Sequence, residues 1–183
     1  MQIEGSRILI FGGWGLVGSA ICHKLLEHSP RQLIVSSLRK EEAEDAVVQL
    51  RKEYSDRDPN MFVPKWGNIF TRTEWKDEWW GDIIADDQRR KGVVKDIFNE
   101  LDEEVVKKSA LYSLVEETKP DAVIDCINTA TAIAYLDIYN TTLNVVREID
   151  LDNVDNNDVE KLMTSSYIPQ LIRHIQILNR AVN

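Results

Sequence analysis

The chain is organised around a glycine-rich turn near its N-terminus, which lies between an apolar run and a stretch with helical periodicity. The apolar run covers residues 8–11, and the glycines that follow are Gly12, Gly13, Gly15 and Gly18. Such a short run is typical of a strand buried on both faces of a parallel sheet. After the turn, apolar residues recur at helical spacing, at Leu16, Val17, Ala20, Ile21 and Leu25. The sequence therefore predicts a strand, a tight turn and a helix.

The spacing Gly13-x-Gly15-x-x-Gly18 in this context predicts a site for the pyrophosphate of a dinucleotide,. One glycine permits the tight turn, another lets the backbone approach phosphate, and a third lets helix and strand pack closely. The helix N-terminus then meets the negative charge. The alternative is a glycine-rich turn that binds no ligand. The residues expected to contact the cofactor here are Gly12, Gly13, Trp14, Gly15, Leu16, Val17 and Gly18.

The same glycines can be written as Gly12-x-x-Gly15-x-x-Gly18, a spacing that resembles the extended short-chain dehydrogenase/reductase family. That family includes NAD-dependent epimerases and dehydratases. The motif is confined to residues 8–18, while the pattern of elements extends over most of the chain. The resemblance implies the NAD(P)-binding domain of an oxidoreductase. The implied fold is a Rossmann-like doubly wound parallel sheet of order 3-2-1-4 in three α/β/α layers, apparently lacking the later strands.

The end of the predicted second strand, residues 32–37, bears on the choice of cofactor. An NAD site usually places Asp or Glu about 20 residues past the glycines to hold the ribose 2′-hydroxyl. Here the chain has no carboxylate before Glu41. A guanidinium suits a 2′-phosphate well, so NADP is favoured and NAD is the second candidate. The expected contacts are Ser36, Ser37, Arg39 and Lys40. Alternatively, Arg39 and Lys40 only begin the solvated helix predicted over residues 40–53.

Two later segments acquire a role from the resemblance. The third strand is predicted over residues 60–65, and Pro64 indicates a sheet edge,. In the family a Gly-Asp-Ile-like segment after this strand lies beside adenine; here Asn68 replaces the acid before Ile69, and its amide can still bond adenine. The fourth strand, over residues 121–127, leads into a turn beside the cofactor, occupied here by Asn128, Thr129 and Ala130.

Residues 70–92, with Trp75, Trp79 and Trp80 among charges, are predicted to be an insertion. They form either a lid, substrate wall or subunit contact, or a loop held in place by its own packing.

Asp125 is unexpected within a strand, because a buried carboxylate needs partners. For this residue we favour a structural role over a place in the cofactor site. Helices are predicted around Val94, Ile97, Phe98 and Leu101, and around Leu111, Leu114 and Val115.

In the C-terminal third, the sequence pattern predicts a helix over residues 132–150, a surface loop over residues 150–158 and a final helix with an apolar stripe. That stripe consists of Ile168, Leu171, Ile172, Ile175, Leu178 and Val182. A fifth strand should follow such a helix, so residues 1–183 are expected to be a single domain and the N-terminal part of a longer protein. The resemblance implies a catalytic Ser or Thr after that strand, then Tyr-x-x-x-Lys. No tyrosine here has Lys four residues later, so the catalytic residues are unknown.

Two other functions stay open: a non-catalytic dinucleotide-binding sensor or interaction module, and a scaffold that binds no ligand.

A net charge of −9 argues against nucleic-acid binding,. Without a long apolar run or a signal peptide, we expect no membrane partner and a cytoplasmic location. Cys22 and Cys126 are expected to be small core residues, and no Cys/His spacing indicates a metal. The expected partners are the dinucleotide, an unknown small-molecule substrate and, through an unfinished sheet edge, a second copy of the chain.

Overall fold

A computed structural model of the chain describes residues 2–127 and 138–183. Its centre is a parallel sheet of four strands in the order β3-β2-β1-β4, as the sequence predicts. The strands are β1 (Arg7–Phe11), β2 (Gln32–Ser37), β3 (Phe62–Trp66) and β4 (Ala122–Asp125). Their register places Phe11 beside Ser36 on one side and beside Asp125 on the other. The carboxyl ends of β1, β2 and β4 therefore meet at one edge of the sheet.

Helices cover both faces of this sheet, so the fold is a Rossmann-like α/β/α arrangement. On one face lie α1 (Leu16–Leu26) and α2 (Lys40–Glu53), and on the other lie α6 (Ala110–Thr118) and the last helix, α9 (Tyr167–Val182). Strand residues alternate between the two faces: Ile8 and Ile10 pack toward α1 and α2, and Leu9 and Phe11 pack toward α6 and α9. The remaining helices are α3 (Trp80–Ala85), α4 (Asp87–Phe98), α5 (Glu103–Lys108), α7 (Ile138–Asp150) and α8 (Asn156–Ser165), with short 3₁₀ turns at Pro59–Met61 and Thr73–Trp75.

The apolar stripe predicted for the first helix is only partly correct. Leu16, Val17 and Ala20 are exposed, and the buried residues of α1 are Gly18, Cys22, Leu25 and Leu26. The buried side chains by which α1 packs on the core are those of Cys22, Leu25 and Leu26, so its first turn contributes no buried apolar side chain. The prediction for α2 is confirmed, since Ala43, Val47 and Leu50 are buried.

The segment predicted as an insertion is more helical than the sequence indicated. The helix expected around Val94 to Leu101 is α4, which begins at Asp87 and ends at Phe98. Val93 and Ile97 are its buried apolar residues, and Phe98 is exposed. Two of the three tryptophans pack locally: Trp75 is buried, and Trp80 lies against the same cluster as Ile83. Trp79 is 69% exposed. Local packing, one of the two interpretations, therefore accounts for most of this segment.

The C-terminal predictions need two corrections. Residues 150–158 are a loop only up to Asp155, because α8 begins at Asn156. The stripe expected to pack α9 against the sheet is largely exposed at Ile168, Ile172, Ile175 and Val182, each more than half accessible. The buried face of α9 consists instead of Gln170, Arg173, His174 and Ile177. Among the described residues, no helix is long and apolar enough to cross a membrane.

Candidate functional site

The glycine-rich turn has the tight shape that its sequence predicts. Gly12, Gly13 and Gly18 are each required there for a different reason. Gly12 has a φ of +72°, a conformation that L side chains rarely adopt,. A Cβ on Gly13 would lie 2.4 Å from Val35 Cγ1, and a Cβ on Gly18 would lie 2.2 Å from the carbonyl oxygen of Gly12. The turn thus folds tightly onto β2, and α1 approaches the end of β1 without intervening side chains.

The first turn of α1 presents free backbone amides beside this turn. Gly15 N donates to Gly12 O and Ser19 N to Gly15 O, but in the described part of the chain the amides of Leu16, Val17 and Gly18 have no acceptor. Gly15 precedes the helix without a side-chain cap. The side chains of Leu16 and Val17 are 91% and 60% exposed, so they leave the helix N-terminus accessible. Unpaired N–H groups and the positive end of the helix dipole together favour an anion.

The ends of β2 and β3 are tied to this turn by backbone hydrogen bonds. Gly13 N donates to Ser36 O at 3.0 Å, and Gly67 N donates to Ser37 O at 3.1 Å. Ser36 and Ser37 are buried, while Arg39 and Lys40 are exposed at the start of α2. The structure therefore brings the glycines, the two serines and the two cations to one edge of the sheet. Arg39 makes no ion pair with any described residue, and its backbone amide faces Glu42 Oε2 at 3.4 Å.

An aromatic side chain with two ammonium groups adjoins this region, which the sequence reasoning did not identify. Lys40 Nζ lies 5.2 Å from the centre of the Trp66 ring, and Lys76 Nζ lies 5.8 Å from it. The aliphatic part of Lys76 packs against Gly67, whose φ is +125°. Lys76 O accepts a hydrogen bond from Asn68 N at 2.7 Å. The insertion thus contributes a cation next to the end of β3; no local pattern signals a contact between residues on different elements.

The segment after β3 is only partly available to a ligand. Asn68 Oδ1 accepts a hydrogen bond from Phe70 N at 3.0 Å, which leaves the amide NH₂ of Asn68 as its unengaged group. Ile69 is buried in the core on the α6 face, so a ligand at this edge could contact its backbone but not its side chain. Asn128, Thr129 and Ala130, also predicted to contact the cofactor, lie outside the described residues.

Asp125, at the carboxyl end of β4, has a partner that sequence spacing could not reveal. Its Oδ2 lies 2.8 Å from His174 Nε2 of α9, and its Oδ1 accepts a hydrogen bond from Ile127 N. Burial raises the pKa of Asp125, but the hydrogen bonds from His174 and Ile127 outweigh it and hold that pKa below its usual value,. The carboxylate is therefore satisfied within the fold, which agrees with the structural role favoured from the sequence.

Neither cysteine suggests a reactive group at this edge. Both are free; Cys22 is buried and Cys126 is half-buried. Burial raises the pKa of Cys22 to about 12, with the neighbouring Cys126 adding to the shift. A thiol with so high a pKa stays protonated and is a poor nucleophile. Among residues 2–127 and 138–183, no group of three or more His, Cys, Asp or Glu side chains is arranged to hold a metal ion.

Comparison of the chain with known proteins does not assign it to a family. No protein-family model matches the chain, and no curated protein matches it significantly. The functional argument therefore depends on the shape and chemistry of the site itself.

Proposed function

We propose that this chain is the dinucleotide-binding domain of an oxidoreductase resembling the extended short-chain dehydrogenases/reductases, with NADP(H) as the favoured cofactor. The observation that carries the proposal is the open N-terminus of α1. Its unpaired amides at Leu16, Val17 and Gly18 stand over a turn made narrow by glycines. In open α/β sheets, ligands bind outside the carboxyl ends of the strands where the strand order reverses, which is between β1 and β4 here.

The pyrophosphate would lie across the turn and accept hydrogen bonds from these amides. The helix dipole adds attraction for its negative charge, worth about 0.3–1 kcal/mol for a surface charge. The adenosine end would extend along the ends of β2 and β3, where Ser37 and Gly67 are joined by a hydrogen bond. The nicotinamide end would extend toward β4.

The preference for a 2′-phosphate is supported by the charges near the end of β2. Arg39 is exposed and without an ion pair among the described residues, so its guanidinium is available for a bidentate contact,. Lys40 and Lys76 bring two ammonium groups to the Trp66 ring, but each is also paired with a nearby acid, Glu44 or Asp77. Arg39 therefore supplies the uncompensated positive charge here, in a chain whose net charge is −9.

The hydride-transfer step is assigned to no residue of this chain. Its tyrosines are Tyr54, Tyr112, Tyr135, Tyr139 and Tyr167, and none is followed by Lys at the spacing that the family uses to lower a tyrosine pKa,. The proposal therefore concerns cofactor binding, and a substrate class is left unassigned. A sensor module would use the same cofactor site without the chemistry.

The proposal is tested by titrating the chain with NADPH and NADH while following nicotinamide fluorescence. We expect saturable binding of both, with NADPH bound more tightly. Replacing Arg39→Ala should weaken NADPH binding by about tenfold, since a hydrogen-bonded charge contact contributes about 1.5–3 kcal/mol, and should leave NADH binding nearly unchanged.

Arg31→Ala is the matched control, because Arg31 is also exposed and lies just before the opposite end of β2. It should alter neither affinity. Absence of saturable binding of both dinucleotides would refute the cofactor-binding proposal. Equal affinities for NADPH and NADH, or an unchanged NADPH affinity in the Arg39 variant, would refute the NADP preference alone.

A further inference from the structure

A second polar cavity lies away from the glycine-rich turn, between α4, α9 and the segment that follows β3. Its volume is about 40 Å³, and its polar lining consists of Thr71, Arg72, Asp96, Ser109, Gln170, Arg173 and His174. A buried water needs about 10–15 Å³ on a comparable measure, so the space holds a few waters or one ion of the size of chloride. Three of these side chains come from the unexpectedly polar buried face of α9.

Arg173 differs from Arg90, the other arginine buried in the described chain, and from the neighbouring Arg72 in having no acid partner. Arg90 is paired with Asp87 and Glu160, and Arg72 is paired with both oxygens of Asp96. Arg173 instead donates to two backbone carbonyls at the end of α4, those of Ile97 and Asn99. Among the described residues no carboxylate lies within ion-pair distance of Arg173.

The positive charge of Arg173 is therefore only partly compensated. The carbonyls at a helix C-terminus carry about half a negative charge in total. Burial lowers the pKa of Arg173, and the more distant Asp96 and Asp102 do not offset it. Asp96, the acid that lines the cavity, is already engaged by Arg72. Arg173 Nη1 is buried with no hydrogen-bond partner in the described chain, and an unpaired buried charge is costly.

His174 supplies a second buried nitrogen without a partner. The residue is 4% exposed, and its Nδ1 has no hydrogen-bond partner among the described residues. Because Nε2 faces the Asp125 carboxylate at 2.8 Å, it carries the proton of that hydrogen bond,. Asp125 is engaged by His174 and Ile127, so it is not available as a partner for Arg173.

We propose that this cavity binds a small monovalent anion of the size of chloride, held by Arg173 Nη1. The ion supplies the partner that this nitrogen lacks and neutralises the charge of Arg173. A water molecule would accept the hydrogen bond but leave that charge uncompensated. The site is independent of dinucleotide binding, since Arg173 does not belong to the glycine-rich turn.

The experiment is urea unfolding of the full chain in sodium chloride, with sodium gluconate replacing chloride at constant ionic strength. Gluconate is too large for the cavity, so only the anion changes. A ligand that binds the folded state alone raises the folding equilibrium constant by about tenfold at ten times its Kd. We expect a saturable increase of that kind for the wild-type chain.

Arg173→Gln should abolish the chloride response, and Arg180→Gln should retain it. Arg180 is on the same helix but is more than half exposed and faces Glu103, which makes it the matched control. Should Arg173→Gln not fold, wild-type crystals grown in sodium bromide give an independent readout through anomalous scattering. A bromide peak within contact distance of Arg173 Nη1 supports the proposal. An unfolding midpoint independent of chloride, a response retained by Arg173→Gln, or only water in bromide crystals would overturn it.

Discussion

At the scale of single residues, the glycines between β1 and α1 have different structural roles. Gly12 supplies a positive φ where the chain leaves β1. Gly18 lets α1 approach so closely that a Cβ would lie 2.2 Å from Gly12 O. Gly15 is less constrained, since its Cβ would lie 3.3 Å from the same oxygen at an ordinary φ. The close approach at Gly18, rather than flexibility, brings the helix N-terminus to the turn.

Replacing Gly18→Ala should therefore destabilise the fold, because the contact is with backbone that cannot move aside without shifting α1. Overpacking of this kind costs about 1–3 kcal/mol or more, and the unfolding midpoint in urea should fall accordingly. Gly15→Ala is the control and should cost clearly less. Equal midpoints for the two variants would show that the close approach is not as tight as the geometry indicates.

At the scale of elements, a single buried arginine holds the insertion to the C-terminal helices. Arg90 of α4 is 1% exposed and donates to the carbonyl of Ile84 in α3. It also bonds Asn157 and Glu160 of α8, at 2.7 and 3.1 Å. Although burial opposes the charge, the hydrogen bonds that Arg90 donates to Asp87 and Glu160 leave the pKa of Arg90 raised. The consecutive helices α3 and α4 and the distant helix α8 therefore share one paired cation.

Replacing Arg90→Met should destabilise the chain by about 3 kcal/mol, since it leaves Glu160 largely buried without its partner,. Arg89→Met is the matched control: Arg89 is the preceding residue, is partly exposed, and among the described residues pairs with Glu78 alone. Exposed pairs contribute about 0–1 kcal/mol. Urea unfolding gives both values, and limited proteolysis within residues 70–92 should accelerate only in the Arg90 variant. Similar losses in both variants would contradict this role of Arg90.

At the scale of the whole molecule, the Asp125–His174 hydrogen bond joins the central sheet to the last helix. It connects the end of β4 with α9, and the ring of His174 also stacks on Phe70 after β3, with 4.7 Å between ring centres. The pKa of Asp125 is lower in the folded chain than its usual value. Its contribution to stability is therefore fully present above the pKa of the unfolded chain and is lost as the pH falls through the folded pKa.

Asp125→Asn should consequently be less stable than the wild type near neutral pH, by about 1.5–3 kcal/mol for a hydrogen bond to a charged group. The difference should shrink as the pH is lowered below the ordinary carboxyl range, because the wild-type carboxyl is then protonated as well. Urea unfolding of both proteins over a pH series measures this. Asp45→Asn, at an exposed position of α2, controls for the loss of one charge. A difference that is constant over the whole pH range would show that the carboxylate charge contributes nothing.

The sequence by itself determined the elements whose signal is local. The strand, the glycine-rich turn and the position of the following helix were predicted as the structure has them, because the turn's conformation depends on residues a few positions apart. The sheet order followed from the βα pattern, with Pro64 correctly indicating an edge strand. The turn and the cations at residues 39–40 of the candidate site could likewise be predicted, since they immediately follow strands whose carboxyl ends share one edge.

Only the tertiary structure decided which face of α9 is buried. Periodicity tells which residues share a face of a helix, not what that face will contact. The apolar stripe of Ile168, Ile172 and Ile175 is exposed, while Arg173 and His174 pack inward. Those two are tolerated because the end of α4 and Asp125 supply hydrogen-bond partners from distant parts of the chain. Likewise, Lys76 reaches Trp66 only because the insertion folds back over β3. Such contacts depend on the arrangement of whole elements, which no short window of sequence encodes.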